Sequence, residues 1–152
     1  MGISKKDDHL EFKFNQVKDG ENQEFKFRMP SLHEAQEVVA NSDARWKILC
    51  AGRRFGKSRL GVMLTLITAM QGKRAWWVAP TYTIARVGWR EIQNAAMGFP
   101  EKFPVNISLV NMEVTFPATG GSIAVRSADT PHRLRGEGLD FLVMDEAAFI
   151  KP

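Results

Sequence analysis

The sequence predicts an α/β fold, with a mostly parallel central sheet flanked by helices, preceded by an N-terminal β-hairpin. Three observations carry that expectation. Short apolar runs at residues 46–51, 75–79 and 141–144 have strand length. Two longer segments between them, residues 57–71 and the stretch after Pro80-Thr81, carry apolar residues at helical spacing. Strands alternating with helices place the strands parallel, because a crossover helix carries the chain back to the same end of the sheet.

The hairpin comes first. Leu10, Phe12 and Phe14 alternate with Glu11, Lys13 and Asn15, and Phe25, Phe27 and Met29 alternate with Lys26 and Arg28. Alternation puts one face of each strand inside, and Asp19-Gly20 supplies the turn between them. Pro30 ends the hairpin, which separates an extension of residues 1–30 from the main domain, 31–152. Ser31 is positioned to cap a short helix, with Glu34 as its capping-box partner.

Residues 46–51 read as a buried strand leading into a Gly-rich turn. In the helix that follows, Leu60, Met63, Leu64, Ile67 and Met70 recur at helical spacing, and apolar residues on the other face imply burial on more than one side. Gly72 is its stop. Residues 75–79 form a second buried strand, and Pro80-Thr81 turns the chain into a helix bearing Ala85, Trp89 and Ile92. Then come a strand at 105–110, a hairpin of 112–116 with 122–127 turning at Gly120-Gly121, a basic loop, and a buried strand at 141–144. Trp76, Trp77 and Trp89 are expected to pack in the core.

Composition narrows the function classes. With 152 residues, 44% hydrophobic and 25% charged, the chain is long enough for one real core but hardly for two. A net charge of +4 is compatible with a polyanionic partner. Cys50 is the sole cysteine, so no internal disulfide forms and a reducing interior fits. The first residues lack the apolar core of a signal peptide, and the longest apolar stretch, 60–70, is too short to span a bilayer. His9, His33 and His132 share no ligand spacing and read as surface residues.

The strongest motif is Ala51-Gly52-Arg53-Arg54-Phe55-Gly56-Lys57-Ser58. It follows an apolar run and opens a helix, the setting of a phosphate-binding P-loop. Gly52 and Gly56 let successive N–H groups turn toward phosphate oxygens, and the helix N-terminus adds partial positive charge. Lys57 reaches terminal phosphates, and the Ser58 hydroxyl joins a magnesium shell. Ala51 replaces the usual first glycine, which is tolerable only at negative φ.

A second motif, Phe141-Leu142-Val143-Met144-Asp145-Glu146, has the form of a Walker B strand: an apolar run ending in two carboxylates. Asp145 suits magnesium through water, and Glu146 suits the general base that polarises attacking water. Arg133 and Arg135 lie in a loop just before it, where guanidinium groups would meet phosphate charge or simply be solvated. The same two readings apply to Arg53 and Arg54. Gln36 lies ahead of the P-loop, where a glutamine amide reads the adenine edge in some ATPases.

The order of these motifs resembles the large terminase subunits of tailed bacteriophages. The matching segments are LHEAQ at 32–36, AGRRFGKS at 51–58, VAPTYTIARVGW at 78–89 and SADTPHRLRGEGLDFLVMDEAAF at 127–149. The resemblance implies an ATPase motor that uses ATP and Mg2+ to drive double-stranded DNA into a procapsid. It implies that Gly52, Gly56 and Lys57, in one loop with Arg54 and Phe55, hold phosphates. Ser58 and Asp145 hold magnesium, Glu146 activates water and Gln36 reads adenine. Arg135 matches an arginine acting on a neighbouring subunit's ATP, and Arg53 one acting within its own chain; both remain open as the charge-stabilising group.

The implied partners are DNA, further copies in a ring, a portal protein and a small terminase subunit, with no membrane. The implied location is the host cytoplasm at the procapsid portal. The family continues past DEAA with a core strand, a coupling motif and a nuclease domain, whereas this sequence stops at Pro152 and offers no acidic nuclease cluster. That core strand lies between the P-loop and Walker B strands, so the expectation is a gap there or direct pairing of the two. A chain of this extent should keep a nucleotide site and turn over little ATP. The competing readings are a helicase-like ATPase and a nucleotide-binding module without turnover.

Overall fold

A computed structural model describes residues 2–6, 9–18, 21–101, 103–135 and 138–151. The chain divides into two compact units, Met1–Met63 and Leu64–Pro152.

In the first unit, β1 (Gly2–Lys6), β2 (His9–Lys18) and β3 (Glu21–Pro30) form an antiparallel sheet with β2 in the middle. The expected hairpin is thus β2 and β3, paired in register from His9 opposite Pro30 to Lys18 opposite Glu21, and β1 adds a strand beyond it. The Asp19-Gly20 turn and the side chains of Leu10, Phe12, Phe14 and Phe25 lie outside the described residues. On β3 the alternation holds: Phe27 and Met29 are buried, Lys26 and Arg28 exposed. On β2, Glu11 is buried, against the expectation of a solvent-facing position. Its carboxylate lies 3.8 Å from Nε of Arg28, the residue directly opposite on β3, and this cross-strand cation offsets the burial of charge.

Helix α1 (Glu34–Asn41) begins later than a Ser31 cap would place it. Leu32 is buried, the chain is still extended at His33, and His33 is the N-cap. The reciprocal side chain is Gln36, whose Oε1 accepts the His33 N–H at 3.2 Å. Residues 46–51 are not the buried strand the apolar run predicts. They have no regular structure, and Trp46 and Ile48 are 77% and 98% exposed. An apolar run becomes a strand only against a partner, and no strand among the described residues pairs with this one. Helix α2 (Lys57–Met70) follows, with Leu60, Val62, Met63, Leu66 and Met70 among its buried residues. Its end at Gly72, where φ is +82°, is the left-handed stop the sequence implies.

The second unit is a five-stranded sheet. Its strands are β4 (Arg74–Ala79), β5 (Asn106–Ser108), β6 (Glu113–Phe116), β7 (Gly121–Ser127) and β8 (Phe141–Met144), in the order β5-β6-β7-β4-β8. Strand β4 runs parallel to both β7 and β8; β5 and β6 extend the β7 side as an antiparallel hairpin pair. Central β4 is buried from Ala75 onward, with Trp77 and Ala79 fully enclosed. Helix α3 (Tyr82–Met97) starts at a Thr81 cap and buries Ala85, Gly88, Trp89, Ile92 and Ala96. Gly88 lies so close to the Trp77 indole that a Cβ there would overlap it. Strand β8 is half-buried rather than buried: Phe141 and Val143 face inward, while Leu142 and Met144 are exposed. Among the described residues β8 pairs only with β4, so its other edge has no strand beside it.

Candidate functional site

The first unit holds the P-loop residues. The chain turns through residues 52–56 and enters α2 at Lys57. Two residues in the turn have left-handed backbone, Arg54 with φ 68° and Gly56 with φ 81°. Glycine is required at 56 twice over: a Cβ would be strained at that φ and would lie 2.7 Å from Nε2 of Gln36. Arg54 accepts the strain without glycine's freedom, as residues in binding loops do. Ala51 is not among the positive-φ residues, so its Cβ is tolerated, and nothing lies within 4 Å of a Cβ at Gly52.

Lys57 folds back over this turn. Its Nζ donates to the carbonyls of Ala51, at 2.6 Å, and Gly52, at 3.2 Å. Ser58 is half-buried in the first helical turn, where the N–H groups have no intrahelical acceptor. Arg53 and Arg54 are exposed, and Phe55 is half-buried.

Gln36 is buried and supports the loop from behind. Its Nε2 donates to the carbonyls of Phe55, at 3.1 Å, and Gly56, at 3.2 Å, which uses both amide hydrogens. His33 joins it: its Nε2 is 3.1 Å from the same Phe55 carbonyl, and its ring meets the Phe55 ring edge-on at 4.8 Å. Sequence reasoning placed His33 at the surface, and it is exposed there; its contact with Phe55 is what the sequence did not show. No local pattern would have found it, because its partner is 22 positions away.

The second unit holds the Asp-Glu pair. The Asp145 N–H donates to the Val78 carbonyl at 2.8 Å, continuing the β4–β8 ladder by one residue. The Glu146 N–H donates to Oδ1 of Asp145 at 3.1 Å. Glu146 is left-handed, φ 50° and ψ 41°, and starts a 3-10 turn at Ala147–Phe149. Asp145 is half-buried and Glu146 exposed.

Arg135 is exposed and follows a 3-10 turn, Pro131–Leu134. Leu134 and Ile150 both pack against the Trp76, Val78 and Ala124 cluster, so the loops carrying Arg135 and Glu146 share one apolar floor. Gly136, Glu137 and the Arg133 side chain lie outside the described residues. At the end of β7, the hydroxyls of Ser127 and Thr130 and the Tyr82 backbone hold the Asp129 carboxyl below the usual carboxylate range.

The chemistry of these groups suits a polyphosphate and a hard cation. Left-handed backbone at Arg54 and Gly56, the first turn of α2 and the Lys57 ammonium all favour anionic oxygen. The Ser58 hydroxyl and Asp145 carboxylate are oxygen donors of the kind Mg2+ takes alongside water and phosphate. Among the described residues no three His, Cys, Asp or Glu side chains cluster as a metal cage.

No family model matches the chain. The large terminase subunits of Thermus phage G20c and Thermus virus P23-45 are each 29% identical to it over 136 residues, covering 78% of this chain and 28% of theirs. That of Escherichia phage T5 is 29% identical over 108 residues, covering 68% of this chain and 24% of its own. Among solved structures, the large terminase ATPase domain of Thermus phage P74-26 superposes with a TM-score of 0.63 at 28% identity, covering 78% of this chain and 55% of that one. A mutant of that domain gives 0.67 at 26%.

The chain is similar to the large terminase subunits of phages. The part shared with the solved terminase structures is their ATPase domain, and the α/β fold with its central sheet is of that kind. The chain spans about a quarter of the length of the terminase subunits it matches. Among the described residues, no helix is long and apolar enough to cross a membrane.

Proposed function

We propose that this chain is the ATP-hydrolysing part of a viral DNA-packaging motor, working with Mg2+ to move double-stranded DNA into a procapsid. The observation that carries the reading is the loop at the start of α2, with left-handed Gly56 next to Lys57. Kinship with large terminase subunits supports it. In this reading the Lys57 ammonium leaves the Ala51 and Gly52 carbonyls for the β- and γ-phosphates. The N–H groups of Gly56 and Lys57 bind phosphate oxygens, with Gly52, Arg54 and Phe55 shaping the loop. Ser58 and Asp145 hold Mg2+, which neutralises developing phosphate charge when bound.

Glu146 takes a proton from the attacking water. Arg135 or Arg53 meets the transition-state charge. Gln36 would read adenine only by leaving its present partners, since its oxygen accepts the His33 N–H and its amide hydrogens go to the Phe55 and Gly56 carbonyls. DNA would be held through its phosphates, a salt-sensitive and sequence-independent grip. Copies in a ring, a portal protein and a small terminase subunit complete the proposed assembly, in the host cytoplasm.

The test is Mg-ATP binding and phosphate release, with and without DNA, for the chain and two variants. Lys57→Ala should lower affinity by about tenfold or more while the fold persists. Glu146→Gln should bind ATP and fail to release phosphate. Unchanged affinity in a folded Lys57→Ala protein would overturn the assignment. Binding without turnover by the parent would make the chain a nucleotide-binding module instead.

A further inference from the structure

We infer that His33 is a positioning residue of the phosphate-binding loop: from the start of α1 it fixes the Phe55–Gly56 peptide, and so the direction of the N–H groups that meet phosphate. The inference rests on the nucleotide reading above and adds a residue to it. Peptide planarity gives the mechanism. In a trans peptide the C=O and the following N–H point in opposite directions, and the chain has no cis bond among its described residues. The Phe55 carbonyl is held toward α1 by two donors, His33 Nε2 and Gln36 Nε2, each at 3.1 Å. The Gly56 N–H is therefore directed away from α1. The Gly56 carbonyl is held the same way, by Gln36 at 3.2 Å and by the Leu60 N–H at 3.0 Å, so the Lys57 N–H is directed away as well.

The His33 contact differs in kind from that of Gln36. Gln36 is buried and reaches two carbonyls; His33 is exposed and combines one hydrogen bond with a ring contact to Phe55 at 4.8 Å. The ring contact sets the Phe55 side chain, and the hydrogen bond sets its carbonyl, so one residue constrains both ends of the same unit. The backbone of His33 is in turn held by Gln36, whose Oε1 accepts its N–H at 3.2 Å. The three residues form a closed loop of contacts, so removing the imidazole loosens a carbonyl that Gln36 then holds alone.

A positioning role through the backbone has a signature that base recognition lacks: it acts on any polyphosphate. The experiment measures the affinity of the chain for Mg-ATP, Mg-GTP and Mg-tripolyphosphate in parent, His33→Phe and His33→Gln proteins. Phenylalanine keeps a ring against Phe55 and removes the donor; glutamine keeps a donor at similar reach. His33→Phe should weaken all three ligands by a common factor of about three- to tenfold, and His33→Gln should return them to within about twofold of the parent. His33 is exposed, so both variants should fold, and circular dichroism with thermal unfolding verifies that they do. Parent affinities in His33→Phe, or a loss confined to ATP, overturns the inference alone. A parent chain that binds none of the three ligands overturns the nucleotide reading together with it.

Discussion

Replacing Gly56 with alanine tests the loop at its most constrained point. Two costs follow from the geometry. Gly56 has φ +81°, and a left-handed alanine costs about 1–2 kcal/mol. Its Cβ would lie 2.7 Å from Nε2 of Gln36, so the amide must swing away and lose its bonds to Phe55 and Gly56, at about 0.5–1.5 kcal/mol each. Alanine also restricts the unfolded chain, an opposing gain of about 0.4–1 kcal/mol. The net expectation is a loss of about 1–4.5 kcal/mol.

Where it appears depends on whether the loop holds its shape. A loop that keeps its conformation shows the cost as a lower unfolding free energy in urea. A loop that relaxes shows it as weaker Mg-ATP binding, tenfold for each 1.4 kcal/mol or so, because binding must restore the conformation. Urea unfolding and an equilibrium titration on the same protein capture both. A Gly56→Ala protein within about 0.5 kcal/mol of the parent in stability and within about twofold in affinity would refute the reasoning.

Two further outcomes are expected. Gly88→Ala should lower the thermal midpoint even though alanine favours helices by about 1 kcal/mol, because its Cβ would overlap the fully buried Trp77 indole and repacking costs about 1–3 kcal/mol; a midpoint above the parent's would contradict that packing. Glu146→Gly should leave thermal stability equal or higher, since it relieves a left-handed residue at φ 50°, while abolishing phosphate release. A clear loss of stability in differential scanning calorimetry would mean that Glu146 is held by contacts worth more than its strain.

Periodicity made much of the fold legible in advance. Helices α2 and α3, strand β4 and the β6–β7 hairpin were expected within a residue or two of where they lie, because each buries a face whose spacing is written locally. Residues 46–51 misled for the converse reason. Their apolar content matches a buried strand, but a ladder needs a partner, and partnering is not a property of the segment itself. Strand β8 shows the same limit in weaker form, with its type foreseen and its burial overestimated at Leu142 and Met144. In the site, Gly56, Lys57, Asp145 and Glu146 stood out because their spacing within a motif is short. Glu11 and His33 did not, since each is defined by a residue across a turn or a helix: Arg28 for one, Phe55 for the other.

The Lys57 ammonium resting on the Ala51 and Gly52 carbonyls works as a latch. The cation is already hydrogen-bonded to backbone, so an arriving anion exchanges one set of acceptors for another instead of stripping the charge from bulk water. The exchange would release the Ala51 carbonyl, which ends residues 46–51, and the Gly52 carbonyl just after it; no strand among the described residues pairs with that segment. Opening the latch therefore changes the freedom of the chain upstream of the loop. In the proposed reading, nucleotide occupancy would be felt there as a change in backbone hydrogen bonding, before any bond to phosphorus is broken.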